Sequence, residues 1–437
     1  MPMDAKATAR LTTFKSLLEH AHQAFKLSFG FRLWDGSSVP ANHPASGLAV
    51  AIADEGAVAG LIRKPNMETL ANLWAAQRLD ILNGTLFDLV AARPAMRTRD
   101  LRKTFDKMLA AKTAAKFLFV PRGGPWPLES VPSDKQSDGS AAQNKKNIAY
   151  HYDVSNAFYA LWLDKEMFYT CAYFHDWNDD LEKAQMQKLD MVCRKLRLQP
   201  GESLLDMGCG WGALSCYAAQ HYGVKAYGVT LSEQQLAYAS EKIKRLGLQD
   251  KVTIELKDYA LIEGQERFDK VAAIEMLEHV GIPNFPTYFK TVHRLLKPGG
   301  LFLHQASTRP GKSHAARTGK KRAEFELLTR YIFPGGELDY IGRTVTNLEL
   351  HGFEVHDVEG WREHYDRTCR IWHDRLNANY DAACKEVGEV TTRVWLIYLA
   401  FTTLAFQRNN CGLYQTLSSK RVKGSVGLPP TRADLYA

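Results

Sequence analysis

The stretch Leu204-Leu-Asp-Met-Gly-Cys-Gly-Trp-Gly constrains this chain more than any other. The apolar run Ser203–Met207 is predicted to be a strand. Gly208, Gly210 and Gly212 then let the backbone turn sharply and let a ligand come close. Residues 213–221 follow as a helix. The same rhythm repeats downstream, with strands at Lys225–Thr230, Val252–Leu256, 270–274 and 301–304 and a helix at Glu233–Leu246. Such alternation requires a parallel α/β sheet covered by helices. Leu295-Leu-Lys-Pro-Gly-Gly reads as a structural loop before the fifth strand. Residues 310–400 read as a mainly helical insertion, more than the sheet needs and suited to covering a substrate.

A glycine-rich turn between strand and helix can hold a pyrophosphate at the helix N-terminus. Here Asp206 precedes the first glycine, and an anion would repel phosphate. It suits a cationic ligand, such as the amino group of a methionine moiety, so S-adenosylmethionine is expected rather than a dinucleotide. Asp-x-Gly-x-Gly-x-Gly after a strand resembles the first motif of class I methyltransferases. Asp258, after the third strand, can accept a hydrogen bond from an adenine amino group. Many such enzymes end the second strand with an acid for the ribose hydroxyls. This strand ends Thr230-Leu-Ser, and Gln235 is the expected substitute. Gly208, Gly210, Thr230, Leu231 and Ile274 complete the strand-end cofactor set, with Tyr152, Tyr169 and Thr170 closing over it.

Further segments carry a more specific resemblance. They are His151-Tyr-Asp-Val-Ser-Asn-Ala-Phe-Tyr, Tyr169-Thr-Cys-Ala-Tyr-Phe, Glu275-Met-Leu-Glu-His-Val-Gly, Phe333-Pro-Gly-Gly-Glu-Leu and Glu363-His-Tyr-Asp-Arg-Thr. With the glycine motif, they resemble the cyclopropane fatty acid synthases and their mycolic-acid relatives over roughly residues 147–420. The resemblance implies a Rossmann-like methyltransferase domain with a helical insertion. It also implies that a lipid double bond attacks the sulfonium methyl and that a bound bicarbonate deprotonates the resulting carbocation. The residues matching the bicarbonate set are Cys171, Glu278, His304 and Tyr365. The expected substrate is an unsaturated phospholipid acyl chain, and the expected product a cyclopropane ring. An alkene needs no activating base, and its cation needs a dry pocket.

The preceding domain, 1–120, reads as small and α+β, with strands near Phe31 and at 48–52 and a helix at 67–77. It more weakly resembles the sterol-carrier-like lipid-binding domain of bacterial members. Residues 121–146, rich in Pro, Gly, Ser, Asp and Gln, read as a linker to the methyltransferase domain, 147–437. Charge is uneven: residues 1–146 carry a net +7 of the chain's +8. Residues 93–122 hold nine basic and two acidic side chains, with Thr98 as a helix cap and Leu101, Phe105 and Leu109 at helical spacing. This favours docking on an anionic membrane surface, so a peripheral enzyme at the inner face of the cytoplasmic membrane is expected. No secretory signal is expected in residues 1–10, and no membrane-spanning run, the longest candidate being 394–406. Seven cysteines without paired spacing fit free thiols in a reducing cytoplasm and no metal site.

Four alternatives compete. A related enzyme could give methylene, methyl-branched or furan-type acyl chains with the same residues. A small-molecule N- or O-methyltransferase would leave the basic domain unexplained. A non-catalytic lipid-binding protein would not need the complete motifs. Nucleic acid is not expected as a partner, since no base-flipping motif or aromatic–basic repeat accompanies the charge. A homodimer is compatible with the sequence.

Overall fold

A computed structural model describes residues 4–93, 100, 103–130, 154–311, 331–332 and 336–436. They form two compact units. The first holds the described residues up to 130, together with residues 389–400. The second holds the rest.

The first unit is built on four short strands: β1 (Gly30–Arg32), β2 (Ser38–Val39), β3 (Ala49–Ile52) and β4 (Leu79–Leu82). Their order is β2-β1-β3-β4, with only β1 and β3 parallel. Phe14 and Leu18 of the helix Ala5–Phe25 pack with Leu33, Leu73 and Phe117 in its core. The helix Glu55–Arg63 is capped by Asp54, whose carboxylate also takes two bonds from Arg78, at 2.6 and 2.7 Å. Thr98 and Leu101 lie outside the described residues. The described basic helix, Lys107–Phe117, is capped by Asp106 instead.

Composition assigned 121–146 to a linker. Residues 121–130, however, are packed in the first unit. The Arg122 carbonyl accepts from the Arg78 guanidinium, Leu128 is buried, and the Trp126 ring lies under the Arg78 and Arg122 guanidiniums. One tryptophan with two cationic neighbours outweighs the glycine and proline around it. The expected helical insertion is also divided, because Arg393 bonds the Trp74 carbonyl and Asp80 within the first unit.

The second unit carries seven strands: β5 (Ser203–Met207), β6 (Lys225–Thr230), β7 (Val252–Leu256), β8 (Phe268–Ile274), β9 (Leu296–Thr308), β10 (Phe353–Gly360) and β11 (Gly412–Lys420). Their order is β10-β11-β9-β8-β5-β6-β7. All pair in parallel except β11, which runs antiparallel between β9 and β10. Two expectations are corrected here. β10 interrupts the stretch read as mainly helical. The Leu296-Lys-Pro-Gly-Gly segment read as a loop opens β9, with a register shift against β8 that absorbs Pro298 and Gly299. Phe302, Ala306 and Val271 face one core with Tyr288 and Phe289; Leu301, Leu303 and Ala272 face the other with Leu189 and Val192.

Chain progression reverses at β5, with β6 and β7 to one side and β8 and β9 to the other. That is where a doubly wound sheet opens a crevice beyond its strand ends. Gly212 stands at the start of the helix Ala213–Tyr222 with φ +78°. A Cβ there would lie 2.9 Å from Ile254 Cδ1 and 3.2 Å from Ala239 Cβ, so only glycine lets this helix close on the sheet. No described helix is long and apolar enough to cross a membrane.

Candidate active site

The crevice is a cleft with about 1030 Å³ of atom-free space, part of it open to solvent. Tyr169, Thr170, Asp206, Gly208, Gly210, Thr230, Leu231, Gln235, Asp258 and Ile274 all line it. Tyr152, the remaining nominee for the cofactor, lies outside the described residues.

Each lining group has a structural reason for its place. Asp206 ends β5 and is buried. Burial pushes its carboxyl up to about 6, and the Ser215 hydroxyl, donating at 2.8 Å, offsets part of that push. A buried carboxylate of this kind gains from a cationic partner. No atom lies within 4 Å of where a Gly210 Cβ would sit, so the turn offers room for a ligand against the backbone. The Thr230 hydroxyl donates to Gln235 Oε1 at 2.7 Å, which leaves the Gln235 amide nitrogen to donate to a ligand oxygen. Asp258 caps the short turn Tyr259–Leu261 through Ala260 N–H. Phe168, Tyr169, Trp211, Met276 and Val280 make the walls largely apolar. Tyr169 belongs to an aromatic cluster with Tyr159, Trp162 and Trp372, at ring separations of 5.2–5.7 Å. These donors and this cradle fit S-adenosylmethionine.

The residues matched to bicarbonate fall into two pairs. Cys171 and Tyr365 meet through a carboxylate that sequence reasoning did not nominate, Glu275. Its Oε1 accepts the Cys171 backbone N–H at 2.9 Å, and its Oε2 accepts the Tyr365 hydroxyl at 2.5 Å. The Cys171 thiol itself donates to the Ala172 carbonyl, and burial pushes it far up, so it stays protonated. Glu278 and His304 have other partners. Glu278 Oε1 accepts Ser307 N–H at 2.6 Å, while its Oε2 is buried without a partner. His304 Nδ1 lies 3.0 Å from the Tyr288 hydroxyl, and its Nε2 is also buried without a partner. Burial, assisted by the Glu275 charge, pushes Glu278 up to about 8, and burial holds His304 down at about 3.

Two further groups were given no role from the sequence. Glu275 lines the cleft at the end of β8, the same position that drew attention to Asp206 on β5. Lys188 is fully buried, donates to Thr170 Oγ1 at 2.7 Å and lies over the Phe168 ring. Burial lowers it to about 7, against the pull of Glu275 and Asp164. Its signal was a lysine on the apolar stripe Leu181, Ala184, Lys188, Val192 of the helix Leu181–Lys195.

This sheet, the glycine turn and the acid at the end of β5 define a class I S-adenosylmethionine-dependent methyltransferase. The family model "Mycolic acid cyclopropane synthetase" matches residues 139–416, and the chain belongs to that family. A "Probable fatty acid methyltransferase" of Pseudomonas putida is 35% identical over 420 residues, covering 96% of this chain and 99% of that one. The cyclopropane-fatty-acyl-phospholipid synthase of Escherichia coli K12 is 36% identical over 63% of this chain and 68% of its own. Among solved structures, mycolic acid cyclopropane synthase CmaA1 with bound SAH and CTAB is 30% identical, with a TM-score of 0.60, over 63% of this chain and 98% of that one.

Proposed function

We propose that the protein transfers the S-adenosylmethionine methyl group to the double bond of an unsaturated phospholipid acyl chain. S-adenosylmethionine supplies an electrophilic methyl on a sulfonium. Asp206 would take its amino group, and Gln235 and Asp258 its ribose and adenine. The π pair of the acyl chain forms the new C–C bond, and the C–S pair returns to sulfur. The chain is left with a carbocation.

The observation that carries this reading is the apolar lining around the carboxylates of the cleft. Asp206 is buried and Glu275 is largely enclosed at the cleft wall, and desolvation pushes both carboxyls up. Aromatic and aliphatic walls flank them. A carbocation survives only where water is excluded. Loss of a proton from the new methyl closes a cyclopropane ring. Loss from a neighbouring chain carbon gives a methyl-branched alkene, and a hydride shift to the cationic carbon followed by loss of a proton from the methyl gives a methylene. The name of the relative matched over nearly its whole length, a fatty acid methyltransferase, is compatible with either outcome.

Bicarbonate fits only half of the residues that the family resemblance assigns to it. Glu278 Oε2 and His304 Nε2 are open to a small polar guest. The Tyr365 hydroxyl and the Cys171 backbone are committed to Glu275. No step is therefore routed through bicarbonate. The first unit, with Met108 and Phe119 exposed beside its basic residues, would seat the enzyme on the anionic inner face of a membrane.

The test is to express the chain in a bacterium without a cyclopropane synthase of its own and to weigh the fatty acid methyl esters. Monounsaturated chains heavier by one CH₂ support the reading. Resistance of the product to mild hydrogenation marks a ring, and uptake of hydrogen marks a methylene. An unchanged lipid profile with folded, cofactor-binding protein sinks it.

A further inference from the structure

We propose that Glu275 of this chain, rather than a bound bicarbonate, accepts the proton that ends the reaction. The inference rests on the lipid-methylation reading above. It starts from the mismatch between the four expected bicarbonate residues and what they touch. A carboxylate and a bicarbonate present the same pair of anionic oxygens. Here the carboxylate already sits on Tyr365 and Cys171, at the end of β8, largely enclosed and lining the cofactor cleft.

The fold goes to some length to hold it there. Glu275 has φ +54°, a left-handed conformation that costs a non-glycine residue on the order of 1 kcal/mol or more. Its own N–H is tied to the Gln305 carbonyl at 2.8 Å. Behind it runs a row of side chains, one from each successive strand of the sheet. The Gln305 amide donates to Glu275 Oε1 at 2.6 Å, and the Gln415 amide donates to Gln305 Oε1 at 2.7 Å. The Lys195 ammonium donates to Gln415 Oε1 at 2.7 Å and pairs with Glu359. Gln305 faces Gln415 in register, and Gln415 faces Glu359.

An ammonium can only donate, so the row has one possible direction. Lys195 fixes Gln415, Gln415 fixes Gln305, and Gln305 must present N–H to Glu275. The row therefore presents a donor to Glu275 Oε1, which favours the ionised form and offsets part of the upward push of burial. A carboxylate has about four acceptor positions. Cys171, Gln305 and Tyr365 fill three, and the fourth is left for a proton. Glu278, held near 8, is a carboxylic acid at neutral pH and is the poorer base.

The step balances simply. The C–H pair of the cation becomes the ring bond or the new double bond. The proton passes to Glu275, giving a neutral carboxylic acid that returns it to solvent after the product leaves. Gln305, Gln415 and Lys195 are positioning residues that act through Glu275.

The experiment uses the full chain, S-adenosylmethionine and vesicles of unsaturated phospholipid, in buffer freed of carbon dioxide and bicarbonate. The parent enzyme is expected to keep its rate without bicarbonate. Glu275→Gln should lower kcat by about 100-fold or more, as loss of a general base does, with KM for S-adenosylmethionine little changed. Glu275→Gly suits the positive φ, so the fold is kept. It should be inactive alone and regain activity with added bicarbonate or formate filling the vacated place. A parent enzyme whose rate collapses without bicarbonate and returns with it overturns the inference, as does full activity of Glu275→Gln. A parent enzyme that methylates no lipid under any buffer overturns the lipid reading instead.

Discussion

The first unit and the cleft of the second bury charge in opposite ways. In the first, buried cations have carboxylate partners: Arg78 with Asp54, and Arg393 with Asp80. Burial alone would raise Asp54, but the Arg78 bonds hold it below its ordinary value. In the second unit, the cleft is lined by Asp206 and Glu275, with Glu278 one turn beyond and no arginine among its lining residues, and the nearby buried ammonium, Lys188, is itself lowered to about 7. A paired charge closes a fold. Carboxylates buried in excess are stabilised by a cation that arrives later, here a sulfonium cofactor or the cation made from the substrate.

The sharpest way to break this contrast is a pair of substitutions. Asp206→Asn keeps the shape and the contact with Ser215 but removes the charge. It should weaken S-adenosylmethionine binding by about 2–5 kcal/mol, roughly 30-fold or more, by calorimetry, while the melting temperature holds or rises. Arg78→Met should do the reverse. It leaves Asp54 unpaired but 41% exposed, so the loss of stability is about 2 kcal/mol rather than the larger cost of a fully buried pair, with cofactor affinity unchanged. Equal losses of affinity in both variants would erase the distinction.

Gln415→Leu tests the row behind Glu275 from a distance. It removes both the donor to Gln305 and the acceptor for Lys195. With the direction of the row lost, kcat should fall by about 10-fold, and the acidic limb of the pH–rate profile should move to higher pH. A purely structural role would lower the melting temperature without moving that limb.

The titrations of the two units should differ in sign. Glu278 has an ordinary value of 4.5 and stands at about 8 in the fold. Its stabilising contribution is full below the lower value and is lost as pH rises through the higher one. Glu278→Gln has no such titration, so its melting temperature should gain on the parent's between pH 5 and 9. Asp54 is lowered, so its contribution is present above 3.8 and fades as pH falls. Asp54→Asn should therefore cost most at neutral pH and least in acid. Parallel trends in the two differences would contradict the charge pattern.

What was legible in the sequence follows the same division. β5 and β7 are short runs ended by Gly208 and Lys257, and β6 runs out at the Ser232 helix cap, so their limits could be read directly. The cofactor residues were legible because a strand-end acid beside glycines has few other uses. β11 was not, because it carries Gln415, Thr416, Ser418 and Ser419 inward and so has the composition of a loop. β10 alternates Phe353, Val355 and then polar residues, a signal overridden by the helices on either side. Glu275 stood inside a motif already singled out, but its importance depends on Cys171, Gln305 and Tyr365, each far away in the chain. Local pattern reveals which groups end a strand. It does not reveal which of them the fold surrounds with donors.

The smallest expected effect on stability is also a test of the first unit's own role. Met108, in the first turn of the helix Lys107–Phe117, and Phe119, two residues past its end, are 82% and 89% exposed, with Lys107 and Lys112 exposed on the same helix. Neither apolar side chain supports the core, so Met108→Ser with Phe119→Ser should change folding stability by less than about 0.5 kcal/mol. On a membrane the account is different. Burying one such side chain is worth about 1.5–3 kcal/mol when complete, so even partial insertion of both should make the double variant bind anionic phospholipid vesicles roughly 10-fold more weakly. The lysines contribute a separate, screenable part. Raising salt from 0.15 to 1 M shortens the screening length from about 8 to about 3 Å and should weaken both proteins alike. A double variant that sediments with vesicles as well as the parent at every salt concentration would remove this face from the membrane contact.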